Sequence, residues 1–247
     1  MEHKIKGEYG ELEIRFGTLK GSGADIAREF LKKLVQRIVI RSTEYYYCAR
    51  RSTGEQDHAF TYWERQFHSI VCPSIADLTT YFLAENPLNR KPAGEKEHRG
   101  RVDYWIFYKN YSFMVELKHA YFAYKEAENP SKIIARRFSR AMRQLNEIRK
   151  DECRGLSYGN GLRKIALESV VFYRSSREKD KLMFDVENEN FKKLFKKLLR
   201  NTKLEKRSNF QALWILSRRL IKPFEYRDGF EIYPAVGFIG YASEIVR

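Results

Sequence analysis

The sequence predicts a single α/β domain in which helices and strands are mixed around one central sheet. Two neighbouring segments, 101–108 and 112–119, are apolar on both of their faces, as expected for strands at the centre of a covered sheet. Segment 131–150 repeats apolar residues at intervals of three and four, which predicts an amphipathic helix. No internal repeat or low-complexity linker interrupts the 247 residues, so one domain is expected over 1–247.

Both ends of the chain are predicted to add elements to this centre. Residues 11–20 alternate weakly, as in a strand, and 24–40 place apolar residues at helical spacing after a Gly-Ser-Gly breaker. Near the other end, 189–203 predicts a basic amphipathic helix. Segment 212–220 fits a strand or a helix, and 233–242 is expected to be a terminal strand.

A helix is expected over 58–71, before the central strands. Its buried stripe would consist of Phe60, Trp63, Phe67 and Val71. Pro73 then ends this helix or opens another helix over 74–85. Segment 86–100 combines prolines, glycines and dense charge, so an exposed loop is expected there.

The central strands are expected to form a hairpin followed by a helix and a further strand. Asn110 suits the tight turn of the hairpin. The buried stripe of the helix at 131–150 would consist of Ile134, Phe138, Ala141, Leu145 and Ile148. A glycine-containing loop at 151–161 and a strand at 164–174 complete this part.

The chain is strongly basic. Its 47 Lys and Arg residues exceed its 32 Asp and Glu residues, which gives a formal charge of +15. Because each cation set against a phosphate releases counterions, this excess predicts a nucleic acid partner, expected to be DNA. The candidate contacts are Arg136, Arg140 and Arg143 on the polar face of the helix at 131–150, and the lysine pairs at 192–193 and 196–197. Solvated helix faces on a basic protein without such a partner are the alternative.

Cysteine usage and hydropathy predict a cytoplasmic protein that does not enter a membrane. Cys48, Cys72 and Cys153 are odd in number and far apart, so they form neither a disulfide framework nor a metal-binding pair. No run of about 18 apolar residues occurs. The oligomeric state is left open, and a homodimer is one arrangement that the sequence allows.

Three charged residues lie within the apolar central strands. Asp103 is on the first strand, and Glu116 and Lys118 are on the second. Burial of charge is costly unless the charge is paired or binds a metal. Side chains alternate along a strand, so Glu116 and Lys118 share a face and Asp103 can approach them from the neighbouring strand. Carboxylates so placed suit Mg²⁺, and Lys118 could orient a water molecule or offset charge in a transition state.

This arrangement resembles the PD-(D/E)XK nuclease superfamily, whose motif is an Asp on one core strand and an acidic residue, any residue and Lys on the next. The matching residues are Asp103 and Glu116-Leu117-Lys118, with Val102 where the family often has Pro. The resemblance implies a restriction-endonuclease-like mixed sheet over about 56–175, with N- and C-terminal additions. It also implies hydrolysis of phosphodiester bonds in DNA with Mg²⁺ or Mn²⁺.

Two helical residues join the expected site through the same resemblance. Glu64 matches the Glu that completes the metal cluster from the first core helix, so Asp103, Glu116 and Glu64 become the expected metal ligands. Gln144 matches a polar residue on the helix after the motif. A first core strand is expected within 92–99, or in a hairpin that begins earlier.

Other functions also fit the sequence. A nucleic-acid-binding or phage-assembly protein could keep the nuclease-like fold without catalysis. An enzyme acting on a small anionic substrate would also use a metal and a lysine, but it accounts less well for the spread of positive charge. His98 and His119 are expected to be structural, because His119 points away from Glu116 and Lys118 on an ideal strand.

Overall fold

A computed structural model describes residues 2–54, 57–92, 94–124, 131–226 and 228–243. Within these residues the chain is α/β, with a mixed nine-stranded sheet flanked by helices. Residue 56, the expected start of the nuclease-like core, and residue 93 of the expected loop lie outside the described residues.

Strands and helices occur along the whole chain. The strands are β1 (Glu2–Gly7), β2 (Gly10–Phe16), β3 (Phe82–Arg90), β4 (His98–Tyr108), β5 (Tyr111–Ala123), β6 (Leu162–Ser176), β7 (Phe210–Leu216), β8 (Phe224–Tyr226) and β9 (Gly229–Ala242). The helices are α1 (Ala24–Thr53), α2 (Glu64–Ala76), α3 (Ser131–Asn146), α4 (Lys150–Gly155), α5 (Lys179–Glu187), α6 (Phe191–Asn201) and α7 (Leu204–Arg207). Of the helices in these ranges, none combines the length and apolar character needed to cross a membrane.

The sheet joins both ends of the chain to its centre. Its strand order is β1-β2-β7-β9-β6-β5-β4-β3, with β8 paired to β9. β5 and β6 pair in parallel through the connection that contains α3, whereas the other paired strands are antiparallel. The N- and C-terminal strands therefore extend the same sheet that holds the predicted hairpin.

The hairpin between β4 and β5 is confirmed, together with its turn. Lys109 and Asn110 occupy the turn with positive φ angles of 44° and 66°. Two successive positive φ angles are typical of the turn type that matches the twist of a hairpin, and Asn tolerates this conformation well.

Helices cover both faces of the central strands. On one face Phe30 of α1 stacks on Phe113 of β5, with ring centroids 4.7 Å apart. On the other face Phe195 of α6 lies 6.2 Å from Phe172 of β6, again between ring centroids. The predicted apolar stripe of α3 is buried along its full length, including Ile148 just beyond the helix. The charged residues of β5 thus lie inside a covered sheet.

Much of the segment before Asp103 was predicted wrongly, although the hairpin does begin earlier than residue 101, as one alternative allowed. Residues 82–90 form β3 and not part of a helix or loop, and β4 begins at His98, so 98–100 also belong to a strand. β3 is an edge strand, and four of its nine residues are exposed. Pro87 is compatible with an edge strand, and Glu85 adopts a positive φ of 54° at a break in the pairing. An exposed, irregular edge strand lacks the alternation by which strands are recognised.

The helix around Glu64 also differs from the prediction. α2 begins at Glu64, after a short 3₁₀ turn at Ala59–Thr61, and continues through Pro73 to Ala76. Trp63 precedes the helix and is 72% exposed, so it does not belong to the buried stripe. Buried apolar residues on both sides of Pro73 hold α2 together, since tertiary packing outweighs local helix propensity.

The remaining differences concern short helices and strands. Part of the expected loop at 151–161 belongs to α4, which is separated from α3 by a break after Asn146. The helices α5 and α7 and the strands β1 and β8 were not predicted. Segment 212–220 overlaps the strand β7, which begins two residues earlier, and the predicted strands at 11–20, 164–174 and 233–242 correspond to β2, β6 and β9.

Candidate active site

The candidate site lies where the hairpin β4–β5 stops pairing. The two strands are paired from the turn as far as Tyr104 opposite Val115, and β4 then continues beside β3 alone. The next backbone amides on this side of β5 need other acceptors, because a buried N–H is costly to leave unbonded. Asp103 supplies the first acceptor: the N–H of Leu117 donates to its Oδ2 at 2.6 Å. The end of strand pairing thus places Asp103 beside β5.

Glu64 reaches the same strand from α2. The N–H of His119 donates to Glu64 Oε2 at 3.2 Å. Glu64 is also the first residue of α2, where a negative charge interacts favourably with the helix dipole. The Glu64 carboxylate therefore lies at the start of α2 and also accepts a hydrogen bond from the edge of β5 that β4 no longer pairs with.

Lys118 lies among three carboxylates. Its Nζ is 3.3 Å from Glu116 Oε1, 3.6 Å from Glu64 Oε1 and 3.7 Å from Asp103 Oδ2. It also donates to the backbone carbonyl of Leu117 at 2.7 Å. The four residues taken from the motif and the first core helix are thus brought together by α2, β4 and β5. We call Glu64, Asp103 and Glu116 the acidic cluster.

Arg90, at the end of β3, is a site residue that the sequence analysis missed. Its Nη2 donates to Glu116 Oε2 at 3.1 Å, and both side chains are buried. The guanidinium also donates to the backbone carbonyls of Arg101 and Gln144. A Cβ on Gly100 would lie 2.8 Å from the Arg90 side chain, so the glycine makes room for this contact. Arg90 fell within the expected loop, where nothing marked it as buried.

The acidic cluster carries more negative charge than its neighbouring cations balance. Burial raises the pKa of Asp103, and the ammonium of Lys118 opposes that rise. Burial also raises the pKa of Glu116, and the charge of Asp103 raises it further. Lys118 and Arg90 are the cations paired with the cluster among the described residues. One negative charge is left when all three carboxyls are ionised.

The donor types of the acidic cluster suit a hard divalent cation. Mg²⁺ and Mn²⁺ prefer carboxylate oxygens, and the three carboxylates approach one point, the Nζ of Lys118. Over the residues that the structure describes, however, no three His, Cys, Asp or Glu side chains form a group that could hold a metal ion as they stand. The ammonium is the cation at the centre, so a metal would have to displace it.

Gln144 and the predicted arginines lie differently from the acidic cluster. Gln144 meets the site through its backbone carbonyl, which accepts from Arg90 at 2.5 Å. Arg136, Arg140 and Arg143 are all on the exposed face of α3. Arg143 pairs with Glu147 at 3.6 Å. The three arginines form a basic surface on α3 and make no contact with the acidic cluster within the described part of the chain.

Arg137 lies on the partly buried flank of α3, between its exposed and buried faces, and reaches β5. Arg137 Nη1 donates to the backbone carbonyl of His119. The imidazole of His119 lies on the other face of β5, where Nδ1 is 2.7 Å from Ser169 Oγ and the ring stacks on Phe67. Burial lowers the pKa of His119 to about 3. The contacts agree with the structural role expected for His119.

Comparison with known proteins assigns no function to this site. No protein-family model, no curated protein and no solved structure matches the chain. The chemistry of the site depends on Glu64, Asp103, Glu116 and Lys118 and on the groups that hold them.

Proposed function

We propose that the chain is a metal-dependent nuclease that hydrolyses phosphodiester bonds in DNA. The observation that carries this proposal is the convergence of three carboxylates on one lysine ammonium where β4 leaves β5. The formal charge of +15 supports a polyanionic substrate. Side chains of Glu64 and Asp103 are partly exposed, so a phosphate can approach the cluster from solvent.

Each residue of the proposed site has a chemical task. Glu64, Asp103 and Glu116 would hold Mg²⁺ or Mn²⁺ through carboxylate oxygens. When bound, the cation polarises the phosphodiester and lowers the pKa of a water molecule. The Lys118 ammonium offsets negative charge that develops on the phosphate oxygens. Arg90 keeps Glu116 in place from the buried side.

The restriction-endonuclease-like fold is part of the same proposal. β3, β4, β5 and β6 with α2 and α3 would form its core, and the strands from both ends of the chain would be additions. The mixed pairing around β5, antiparallel to β4 and parallel to β6, supports this reading. β3 would be the first core strand.

A non-catalytic nucleic-acid-binding protein with the same fold is the second candidate. It is favoured by the position of Lys118, whose ammonium neutralises part of the acidic cluster without any metal. Plasmid, linear and single-stranded DNA, incubated with Mg²⁺, Mn²⁺ or EDTA, separate the two candidates. Cleavage that requires a divalent cation supports the nuclease; binding without cleavage under every condition supports the alternative.

Asp103→Asn is expected to weaken Mn²⁺ binding at least about tenfold and to reduce cleavage with it. The amide removes one anionic ligand, but its oxygen can still accept from the N–H of Leu117, so the fold should persist. Calorimetry and cleavage assays measure the two effects. Asp151→Asn is the matched control, because Asp151 is an exposed residue of α4 paired with Arg149. Equal behaviour of both variants contradicts a role for Asp103.

Mn²⁺ affinity is expected to fall as the pH is lowered through the raised pKa values of Asp103 and Glu116. A cation binds their ionised forms, so binding should release protons. The stability of the metal-free protein should depend on pH with the opposite sign. Asp103 and Glu116 bind protons more tightly in the folded state than in the unfolded state, so the stability that they contribute is lost as the pH rises through their raised pKa values. Calorimetry in two buffers with different ionisation enthalpies counts the protons. Absence of proton release at a pH where the metal-free carboxyls are partly protonated would exclude these two carboxyls as ligands.

DNA affinity is expected to fall steeply between about 50 and 200 mM salt, since phosphate contacts release counterions. Arg136→Gln/Arg140→Gln should reduce the slope of log affinity against log salt by about 2, which is close to one unit per lost contact. Arg50→Gln/Arg51→Gln, in the last turn of α1, removes the same charge and is the control. Equal slopes for both double variants would remove α3 from the interface.

A further inference from the structure

Glu168, on β6, is a buried carboxylate without a hydrogen-bond donor. Its side chain is fully buried, and neither carboxylate oxygen has a hydrogen-bond partner in the described part of the chain. Uncompensated burial of this kind is costly, so the position needs an explanation. Glu168 belongs neither to the motif nor to the acidic cluster.

The sheet places Glu168 directly beside Lys118. The two residues are in register in the parallel pair β5–β6, so their side chains lie on the same face of strands about 4.8 Å apart. On its other side Glu168 is in register with Ile239 of β9, which offers no polar group. Of the two residues in register with Glu168, Lys118 is therefore the polar one.

Electrostatics connect Glu168 to the same site. Burial raises the pKa of Glu168 well above its ordinary value, the positive charges of Arg137 and Lys118 oppose the rise, and the negative charge of Glu64 adds to it. Arg137 directs Nη1 to the backbone carbonyl of His119 and makes no hydrogen bond to Glu168. Glu168 is thus an acceptor close to Lys118 that the observed arrangement leaves unused.

Cation binding at the acidic cluster would create a use for this acceptor. The Lys118 ammonium now lies between the three carboxylates, and a divalent cation bound there would repel it. A displaced ammonium needs a new anionic partner on the same face of the sheet, because a buried unpaired charge is strongly unfavourable. Glu168 is in register with Lys118, and its carboxylate oxygens have no hydrogen-bond partner among the described residues.

We propose that Glu168 is the positioning residue that receives the Lys118 ammonium when a divalent cation occupies Glu64, Asp103 and Glu116. This inference rests on the proposed function, since it requires that the acidic cluster binds a cation. With the cation bound, Lys118 donates to Glu168 and keeps its other N–H groups for the phosphate oxygens of a substrate, so Glu168 acts through Lys118 without touching the cation. Loss of Glu168 should penalise cation binding only when a lysine is present at 118.

A double-mutant cycle on the full chain tests this dependence. Mn²⁺ binding, without DNA, is measured calorimetrically for the parent protein, Glu168→Gln, Lys118→Met and the double variant. Glu168→Gln is expected to weaken Mn²⁺ binding about tenfold when Lys118 is present and less than about twofold in the Lys118→Met background. Glu168→Asp keeps the charge and is expected to recover part of the lost affinity. Thermal unfolding without Mn²⁺ verifies that each variant is folded.

Different failures of the cycle have different meanings. Equal weakening in both backgrounds overturns the proposal, because it makes Glu168 a cation ligand or a structural residue independent of Lys118. Unchanged Mn²⁺ affinity in Glu168→Gln overturns it as well. If the parent protein does not bind Mn²⁺, the proposed function fails and the inference fails with it, whereas binding without coupling removes the inference alone.

Discussion

Lys118→Met is expected to slow DNA cleavage by about a hundredfold, comparable to the loss of one transition-state donor, and to tighten Mn²⁺ binding. The ammonium lies within 3.7 Å of an oxygen of each carboxylate in the acidic cluster, so its removal eliminates the cation that competes for these oxygens. Without metal the variant should be less stable than the parent, because three neighbouring carboxylates lose their shared counter-charge. Single-turnover cleavage at saturating Mn²⁺ and calorimetric titration separate the two effects.

Lys109→Met provides the matched control for Lys118→Met. Lys109 also pairs with a carboxylate, that of Glu29 at 2.7 Å, but it is a partly exposed residue at the tip of the hairpin. The Lys109→Met substitution should change neither the cleavage rate nor the Mn²⁺ affinity. A folded Lys118→Met protein that cleaves at the parent rate removes Lys118 from the mechanism, and weaker Mn²⁺ binding would show that the lysine supports the carboxylates and does not compete for them.

Arg90→Met is expected to lower the free energy of unfolding by about 3–5 kcal/mol, the usual cost of breaking a buried ion pair from one side. The side chains of Arg90 and Glu116 are only 4% and 2% exposed, and their pair distance is 3.1 Å. Methionine fills part of the space of arginine but leaves Glu116 Oε2 without its donor, and Lys118, 3.3 Å from Oε1, is then the remaining cation beside this buried carboxylate. Urea denaturation, monitored by circular dichroism, measures the loss.

A surface pair between β3 and β4 is the control for Arg90. Arg101 and Glu85 are also 3.1 Å apart, but their side chains are 67% and 58% exposed. Arg101→Met should therefore cost no more than about 1 kcal/mol. Arg90→Met/Glu116→Leu, which removes both buried charges, should regain much of the stability, and it should be inactive because Glu116 is a proposed metal ligand. Equal losses in the two single variants would mean that burial does not decide the strength of the Arg90 pair.

The regular centre of the fold could be predicted because its side-chain pattern is determined by the sheet. In β5 the two charged residues of the site, Glu116 and Lys118, lie at alternate positions, and Asn110 lies in the turn before the strand. β3 could not be predicted, since half of an edge strand faces solvent and Pro87 resembles a loop signal. α2 continues through Pro73 for reasons of packing that no local pattern contains.

The site divides in a similar way. Asp103, Glu116 and Lys118 follow from strand alternation plus one hairpin, so short-range geometry is sufficient to bring them together. Arg90 and Glu168 depend on which strands lie beside β4 and β5, and neither neighbour is indicated by the spacing of the motif. Gln144 was expected to act through its side chain, whereas its backbone carbonyl makes the contact with Arg90. Only tertiary structure reveals these partners.

The amide protons of Leu117 and His119 are bonded to side-chain carboxylates, where a neighbouring strand would ordinarily supply the acceptor. Their exchange with deuterium is therefore controlled by Asp103 and Glu64, while amides in the β5–β6 ladder exchange only when the sheet itself opens. Whatever binds to those carboxylates or protonates them alters the isotope labelling of two defined backbone positions. The strand thus contains an intrinsic spectroscopic probe of its own site, which can be monitored in the absence of any substrate.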